Sequence, residues 1–283
     1  MTLAGYYRFP AICGSQLVFV CEDDLWTVPD EGGVARRLTA NLGDVTYPAL
    51  SPDGQFLAFT SQEEGPTEVY VMEAAGGPAR RITFLGVNTT QVAGWTADGE
   101  SVVFATGSGQ PFASNLKLWQ VHRDGGQPQS LPYGPAQNVA YGPNGQVVIG
   151  RHTRDPARWK RYRGGTCGQL WIDAAGTGEF ERLVDLAGNL ASPMFVGDRV
   201  YFISDHEGVG NIYSTAVDGT DLTRHTDHEE YFARQASSDG RRIAYMAGGD
   251  LYLLDPENAG DSSAQRVPIE WRSSRPQCHR KFV

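Results

Sequence analysis

The sequence predicts an all-β fold: a six-bladed β-propeller of four-stranded antiparallel blades, open, with no strand exchanged to close the ring. Three observations predict it. A turn glycine recurs six times, at Gly14, Gly54, Gly99, Gly145, Gly197 and Gly240, at spacings of 40, 45, 46, 52 and 43 residues. An apolar residue follows each at the third position (Leu17, Leu57, Val102, Val148, Val200, Ile243), and an aromatic at the fifth in five of six (Phe19, Phe59, Phe104, Phe202, Tyr245). Residues two apart share one face of a strand, so this pair marks a buried face. An aliphatic–aromatic pair then recurs in a third strand: Leu25-Trp26, Val69-Tyr70, Leu118-Trp119, Leu170-Trp171, Ile212-Tyr213 and Leu251-Tyr252. Four antiparallel strands in about 40 residues make one propeller blade.

Unit one has a first strand at 9–13, a second around Leu17 and Phe19, a third at 25–28, a Gly32-Gly33 turn and a fourth strand at RRLT (36–39). Unit two opens at 47–50 and turns on SPDG (51–54), where Pro52 fixes φ, Asp53 bonds its own backbone and Gly54 accepts positive φ. Leu57 and Phe59, then 69–72, then RRIT (80–83) complete it. Unit three carries Val102 and Phe104, 118–121 and QSLP (129–132). Unit four carries Val148, a long interruption, 170–173 and ERLV (181–184); Gly150 stands where its aromatic is expected. Unit five carries 212–215, an Asp218-Gly219 turn and TRHT (223–226), and unit six 251–254 and QRVP (265–268). The predicted blades span 6–40, 45–84, 91–132, 137–184, 192–226 and 232–270, in one domain over 1–270. Residues 271–283, opening at Trp271, read as a linker toward a following domain. Units one and six each hold a complete set of strands. The ring is therefore expected to close by side-chain packing between blades one and six, leaving a seam that opens locally.

Composition agrees with many short strands and tight turns: 34 Gly and 16 Pro accompany 11% aromatic residues in 283. The net charge of −9 argues against general nucleic-acid binding, which needs a basic face. The opening MTLAGYYRFPAICG lacks a secretory pattern, and no apolar run of about 18 residues reads as a membrane span. Cys13 and Cys21 flank one strand, which separates them by about 15–20 Å, beyond disulfide reach. With Cys167 and Cys278 they are expected to be free thiols in a reducing cytosol.

The stretch 151–168, RHTRDPARWKRYRGGTCG, interrupts unit four between its second and third strands and holds six of the 24 basic residues. Arg151, Arg154, Arg158, Lys160, Arg161 and Arg163, interleaved with Trp159 and Tyr162, read as a rim contacting a peptide carboxylate or a partner domain. The competing reading is a solvated loop with Arg stems packed on aromatics. His225-Thr-Asp-His228-Glu-Glu has ligand-like spacing but lies between blades five and six and reads as a polar connection rather than a metal site. Asp205-His206-Glu207 reads as bridging blades through Arg or Ser rather than as a catalytic pair. No nucleophile elbow, P-loop or dinucleotide fingerprint occurs, no cofactor is expected, and the residues read as scaffold or gate.

Five stretches carry a family resemblance: GYYRFPAI (5–12), VFVCEDDLWTVPDEGGVARRLT (18–39), HTRDPARWKRYRGGTCGQLWID (152–173), LTRHTDHEEY (222–231) and DLYLLDPE (250–257). Across essentially its whole length the chain resembles the N-terminal part of the tricorn protease family. That resemblance implies a six-bladed propeller followed in the family by a seven-bladed one, a helical and PDZ-containing region and a serine-peptidase core with its Ser/His pair. It implies cytosolic cleavage of oligopeptides released by the proteasome or other ATP-dependent proteases, a homohexamer, and aminopeptidases that finish the products. The first propeller is then a channel or gate. The family's catalytic residues belong to later domains, so none is carried over, and this 283-residue chain is expected to be inactive. The expected partners are the remaining domains, other subunits and peptides, with no nucleic acid and no membrane. The alternative reading is a stand-alone, TolB-like protein-interaction propeller.

Overall fold

The computed structural model describes residues 5–40, 43–257 and 264–273; Cys278 and the rest of the expected linker lie outside them. Six four-stranded antiparallel sheets follow one another in chain order, each from one contiguous stretch. Blade one is Arg8–Cys13, Gln16–Cys21, Asp24–Pro29 and Arg36–Arg37, and blade two is Val45–Leu50, Phe56–Ser61, Glu68–Glu73 and Arg80–Arg81. Blade three is Thr90–Trp95, Ser101–Thr106, Lys117–His122 and Gln129–Pro135, and blade four is Asn138–Tyr141, Val147–Arg151, Gln169–Asp173 and Glu181–Arg182. Blade five is Leu190–Val196, Arg199–Ser204, Asn211–Thr215 and Thr223–Arg224, and blade six is Arg234–Ser238, Ile243–Ala247, Asp250–Leu254 and Ala264–Arg266. The first strand of each blade is innermost and neighbours the first strands on either side. Cys13 and Cys21 end the first and second strands of blade one, and Cys13, Cys21 and Cys167 are free thiols.

The alternating strand pattern builds the core between blades. Leu17 and Phe19 pack against blade six, Leu57 and Phe59 against blade one, Val102 and Phe104 against blade two, and Val200 and Phe202 against blade four, all fully buried. Each such side chain contributes about 1.5–3 kcal/mol by leaving water, and the six clusters of the described residues each join two adjacent blades.

Blade four departs from the expected register. Tyr141 pairs with Val147, whereas Leu50 pairs with Leu57 and Trp95 with Val102, so its first turn is one residue shorter than those of blades two and three. Side chains alternate faces, so one residue swaps them. Val147 and Ile149 face blade three and Val148 faces blade five. Gly150 is thus not a missing aromatic: Ile149 fills that place, and a Cβ on Gly150 would meet Thr153 Oγ1 at 2.5 Å.

Among the described residues no blade borrows a strand, and the seam between blades one and six is packed with Tyr7, Phe19, Trp26, Met246, Leu251 and Val267. Backbone pairing adds to that packing. Ile269–Glu270 runs parallel to Gly33–Val34, with the Gly33 N–H donating to Pro268 O at 2.9 Å and the Ala35 N–H to Glu270 O at 3.0 Å. The approach requires Gly32, at φ +94°, because a Cβ there would sit 2.4 Å from Pro268 O. Trp271, which the sequence places in a linker, is 2% exposed and packs on Trp26 with ring centroids 6.0 Å apart. Its indole gains more by leaving water than a solvated linker allows.

Candidate functional site

The six first strands surround an axial cavity of about 1230 Å³. Five of them are bulged, each at the residue that turns toward the axis. Phe9, Tyr47, Ser192 and Gln235 hold φ near +50° there, whereas in blade three the ladder skips Ala93 and the next residue, Gly94, takes φ +144°. A bulge leaves one residue out of the ladder and re-aims its side chain. A recurring X-Pro step signals it in three blades, Phe9-Pro10, Tyr47-Pro48 and Ser192-Pro193, since proline inside a sheet is confined to edges and bulges. Phe9 and Tyr47 rings meet at 4.7 Å, and the Gln235 Oε1 accepts from the Phe9 N–H at 2.8 Å. Along the wall the polar residues are uncharged, including Thr46, Gln91, Asn138, Ser192 and Gln235. The charged lining residues, Asp44, Arg154, Asp155, Arg158 and Asp239, lie at the mouths.

The 151–168 stretch crosses one mouth as a strap. At its root Thr153 Oγ1 donates to Asn138 Oδ1 at 2.6 Å. Asp155 then caps a single 3-10 turn, Pro156–Arg158, accepting from the Ala157 N–H at 3.0 Å, while its other oxygen takes Nε and Nη2 of Arg234 in blade six, both at 2.7 Å. Beyond the mouth the strap is tied to blade five: Trp159 O accepts from Asn189 Nδ2 at 3.1 Å and Asp205 Oδ2 accepts from the Arg161 N–H at 2.8 Å. It returns at Cys167, whose thiol burial pushes up and whose Sγ lies 2.8 Å from Tyr162 O.

This path separates the six basic rim residues. Arg151 stacks on Trp171 at 4.6 Å, Lys160 reaches the Phe232 ring at 5.3 Å, and Arg161 Nε donates to Gly208 O at 3.3 Å. Arg163 is exposed. Arg154 and Arg158 alone line the cavity, and among the described residues neither guanidinium has a hydrogen bond or an acidic partner. Both act on Tyr47, whose hydroxyl is pushed up by burial and by Asp155 and held back by these two arginines. Asp155 and Arg234, 79 residues apart, went unread in the sequence because nothing local links them.

The histidine-rich connection is divided among separate partners: His225 Nε2 bonds Ser214 Oγ at 2.8 Å and His228 Nε2 bonds the Tyr245 hydroxyl at 2.9 Å. Asp205 accepts from the Asn189 N–H at 2.6 Å, and Glu207 takes Tyr213 and Arg224 at 2.7 and 3.0 Å. Among the described residues no helix is long and apolar enough to cross a membrane.

Comparison with known proteins bears on the whole disc. A family profile described as "Tricorn protease N-terminal beta propeller domain" matches residues 4–260. "Tricorn protease homolog 1" of Streptomyces coelicolor is 47% identical over 254 residues, 89% of this chain and 24% of that protein. A "Putative Tricorn-like protease N-terminal subunit" of Sulfurisphaera tokodaii is 32% identical over 174 residues, 60% of this chain and 87% of that subunit. The crystal structure of the tricorn protease superposes with a TM-score of 0.86 at 34% identity, covering 96% of this chain and 27% of that one. The chain thus spans about a quarter of the length of the full-length relatives it matches.

Proposed function

The chain belongs to the tricorn protease family, in which it corresponds to the N-terminal propeller domain, and on that premise we propose that it is the family's non-catalytic channel element, passing or filtering peptides for a serine-type peptidase. The observation that carries this reading is the axial cavity with a strap pinned across one mouth by the Asp155–Arg234 ion pair. A wall of uncharged amides and hydroxyls suits an extended backbone, which has donors and acceptors to place but no net charge. The chemistry then resides in the rest of the peptidase, with further copies of the assembly and product-trimming aminopeptidases as cytosolic partners.

The strap side of the disc is the docking face in this reading. In a meander of four strands the loops joining strands two to three and four to one share a face. Tyr6, Phe84, Phe112, Trp159 and Tyr231, the exposed large aromatics among the described residues, all belong to such segments. Ser273 bonds Glu22 on the same face. The existence of a separate N-terminal subunit in a relative supports a propeller that works beside its catalytic partner. The test is hydrolysis of a panel of fluorogenic oligopeptides by the purified chain. The reading predicts no turnover above buffer; turnover that persists through further purification and follows the protein peak contradicts it.

A further inference from the structure

We infer that Phe9 and Tyr47 form an aromatic subsite inside the axial cavity, which takes a large apolar side chain, an aromatic one first, of a peptide lying along the inner strands. This rests on the channel reading above and deepens it by naming the side-chain class that the cavity holds.

Four observations support the subsite. First, both rings line the cavity and stay half-buried, although Phe9 packs in part on the core between blades one and two and Tyr47 on the core between blades two and three. The second-strand rings that serve the core alone, Phe19, Phe59, Phe104 and Phe202, are fully buried. Second, the pair is held in place. The ring centroids lie 4.7 Å apart at 53°, the Phe9 N–H donates to Gln235 Oε1 at 2.8 Å, and the buried Pro10 and Pro48 fix the backbone beside each ring. Third, the placement is strained. Phe9 and Tyr47 hold φ +49° and +51°, a region that bulky residues seldom adopt and that clusters at functional sites. Fourth, the wall is aromatic on one side only. The inner strands across the ring, of blades four and five, line the cavity with Asn138, Ala140 and Ser192, whose small side chains leave open space beside the two rings. An apolar side chain that leaves water against the rings gains in proportion to the area it covers, and an aromatic one gains the ring contact as well. A charged side chain meets no opposite charge along this wall, so nothing offsets its desolvation.

The experiment varies one side chain and keeps the peptide ends constant. Four N-terminally fluorescein-labelled, C-terminally amidated pentapeptides, alike except for a central Phe, cyclohexylalanine, Ala or Glu, are titrated against the 283-residue chain by anisotropy. The Phe peptide is expected to bind at least about tenfold tighter than the Ala peptide, the scale of burying one large apolar side chain. The cyclohexylalanine peptide is expected to fall between them, and the Glu peptide to bind no tighter than Ala. The F9N/Y47N variant places at both positions a residue type that tolerates positive φ. It is expected to bind the Phe and Ala peptides alike while keeping the wild-type melting temperature. A readout on the wild type alone is proton NMR of the unlabelled Phe peptide, whose ring signals are expected to move upfield on binding as they come over the protein's rings. Equal binding of the Phe and Ala peptides to the wild type overturns the subsite and leaves the channel reading intact, as does the absence of an upfield shift. A Phe preference that survives in F9N/Y47N overturns the assignment to these two rings. Glu binding as tight as Phe overturns the apolar class, and cyclohexylalanine binding as tight as Phe overturns the aromatic preference. Failure of all four peptides to bind overturns the subsite and the channel reading together.

Discussion

Glu68, fully buried at the start of blade two's third strand, gathers Arg81 Nη2 at 3.1 Å, Thr83 Oγ1 at 2.6 Å and the N–H groups of Leu85 and Gly86 at 2.7 and 2.9 Å. Asp24 holds Arg37 and Thr39 in the same way in blade one. The repeated Arg-x-Thr of the fourth strands is therefore the far half of a buried polar clasp, which the sequence shows as a pattern without showing its partner. Glu68→Ala leaves Arg81 and two amides short of an acceptor and should cost about 3–5 kcal/mol, read as a lower midpoint in urea. A midpoint within error of the wild type would show that water replaces the carboxylate. Three half-buried histidines act in the opposite sense. Burial lowers the proton affinity of His206, His225 and His228 below the usual imidazole value. Their unfolded forms bind protons first as pH falls through about 6.5, so this contribution to stability is present above that pH and lost below it. The urea midpoint should fall between pH 7.5 and 5.5. The triple change to Gln at these positions should flatten that fall, and an unchanged slope would assign it to other groups.

At the scale of elements, the strands were legible because a period of two and a turn glycine survive in every unit, and each predicted fourth strand overlaps an observed one. Two features were not. A turn one residue shorter in blade four reverses which side chains face which neighbour, and a glycine-anchored count cannot register it. The strap's path depends on Arg234, Asn189 and Asp205, residues distant in sequence that the fold alone brings to it. The seam was read as packing alone because the Gly32-Gly33 turn looks like any other until Pro268 is placed beside it. Trp271 locks that seam. Trp271→Ala should cost about 3–5 kcal/mol and speed amide exchange first at Gly33, Ala35 and Tyr7, whose N–H groups bridge blades one and six. Exchange that rises equally in blades three and four would mean the ring opens as a unit rather than at the seam.

For the whole molecule, the fold was legible and the site only in part. The 151–168 stretch was found by its charge, but the structure gives its six basic residues unlike surroundings and puts two at the axis. What unites the account is the axial cavity, proposed above to be a channel: inner strands bulged toward the axis, charges held at the mouths, and a strap tied to blades five and six. The most direct test is hydrogen exchange of the purified chain with and without a saturating unlabelled pentapeptide with a central Phe. The account predicts added protection confined to the inner strands around Phe9, Tyr47, Gly94, Ser192 and Gln235 and to the strap at 153–158. Protection on the outer strands, or none at a concentration where anisotropy shows binding, would contradict it.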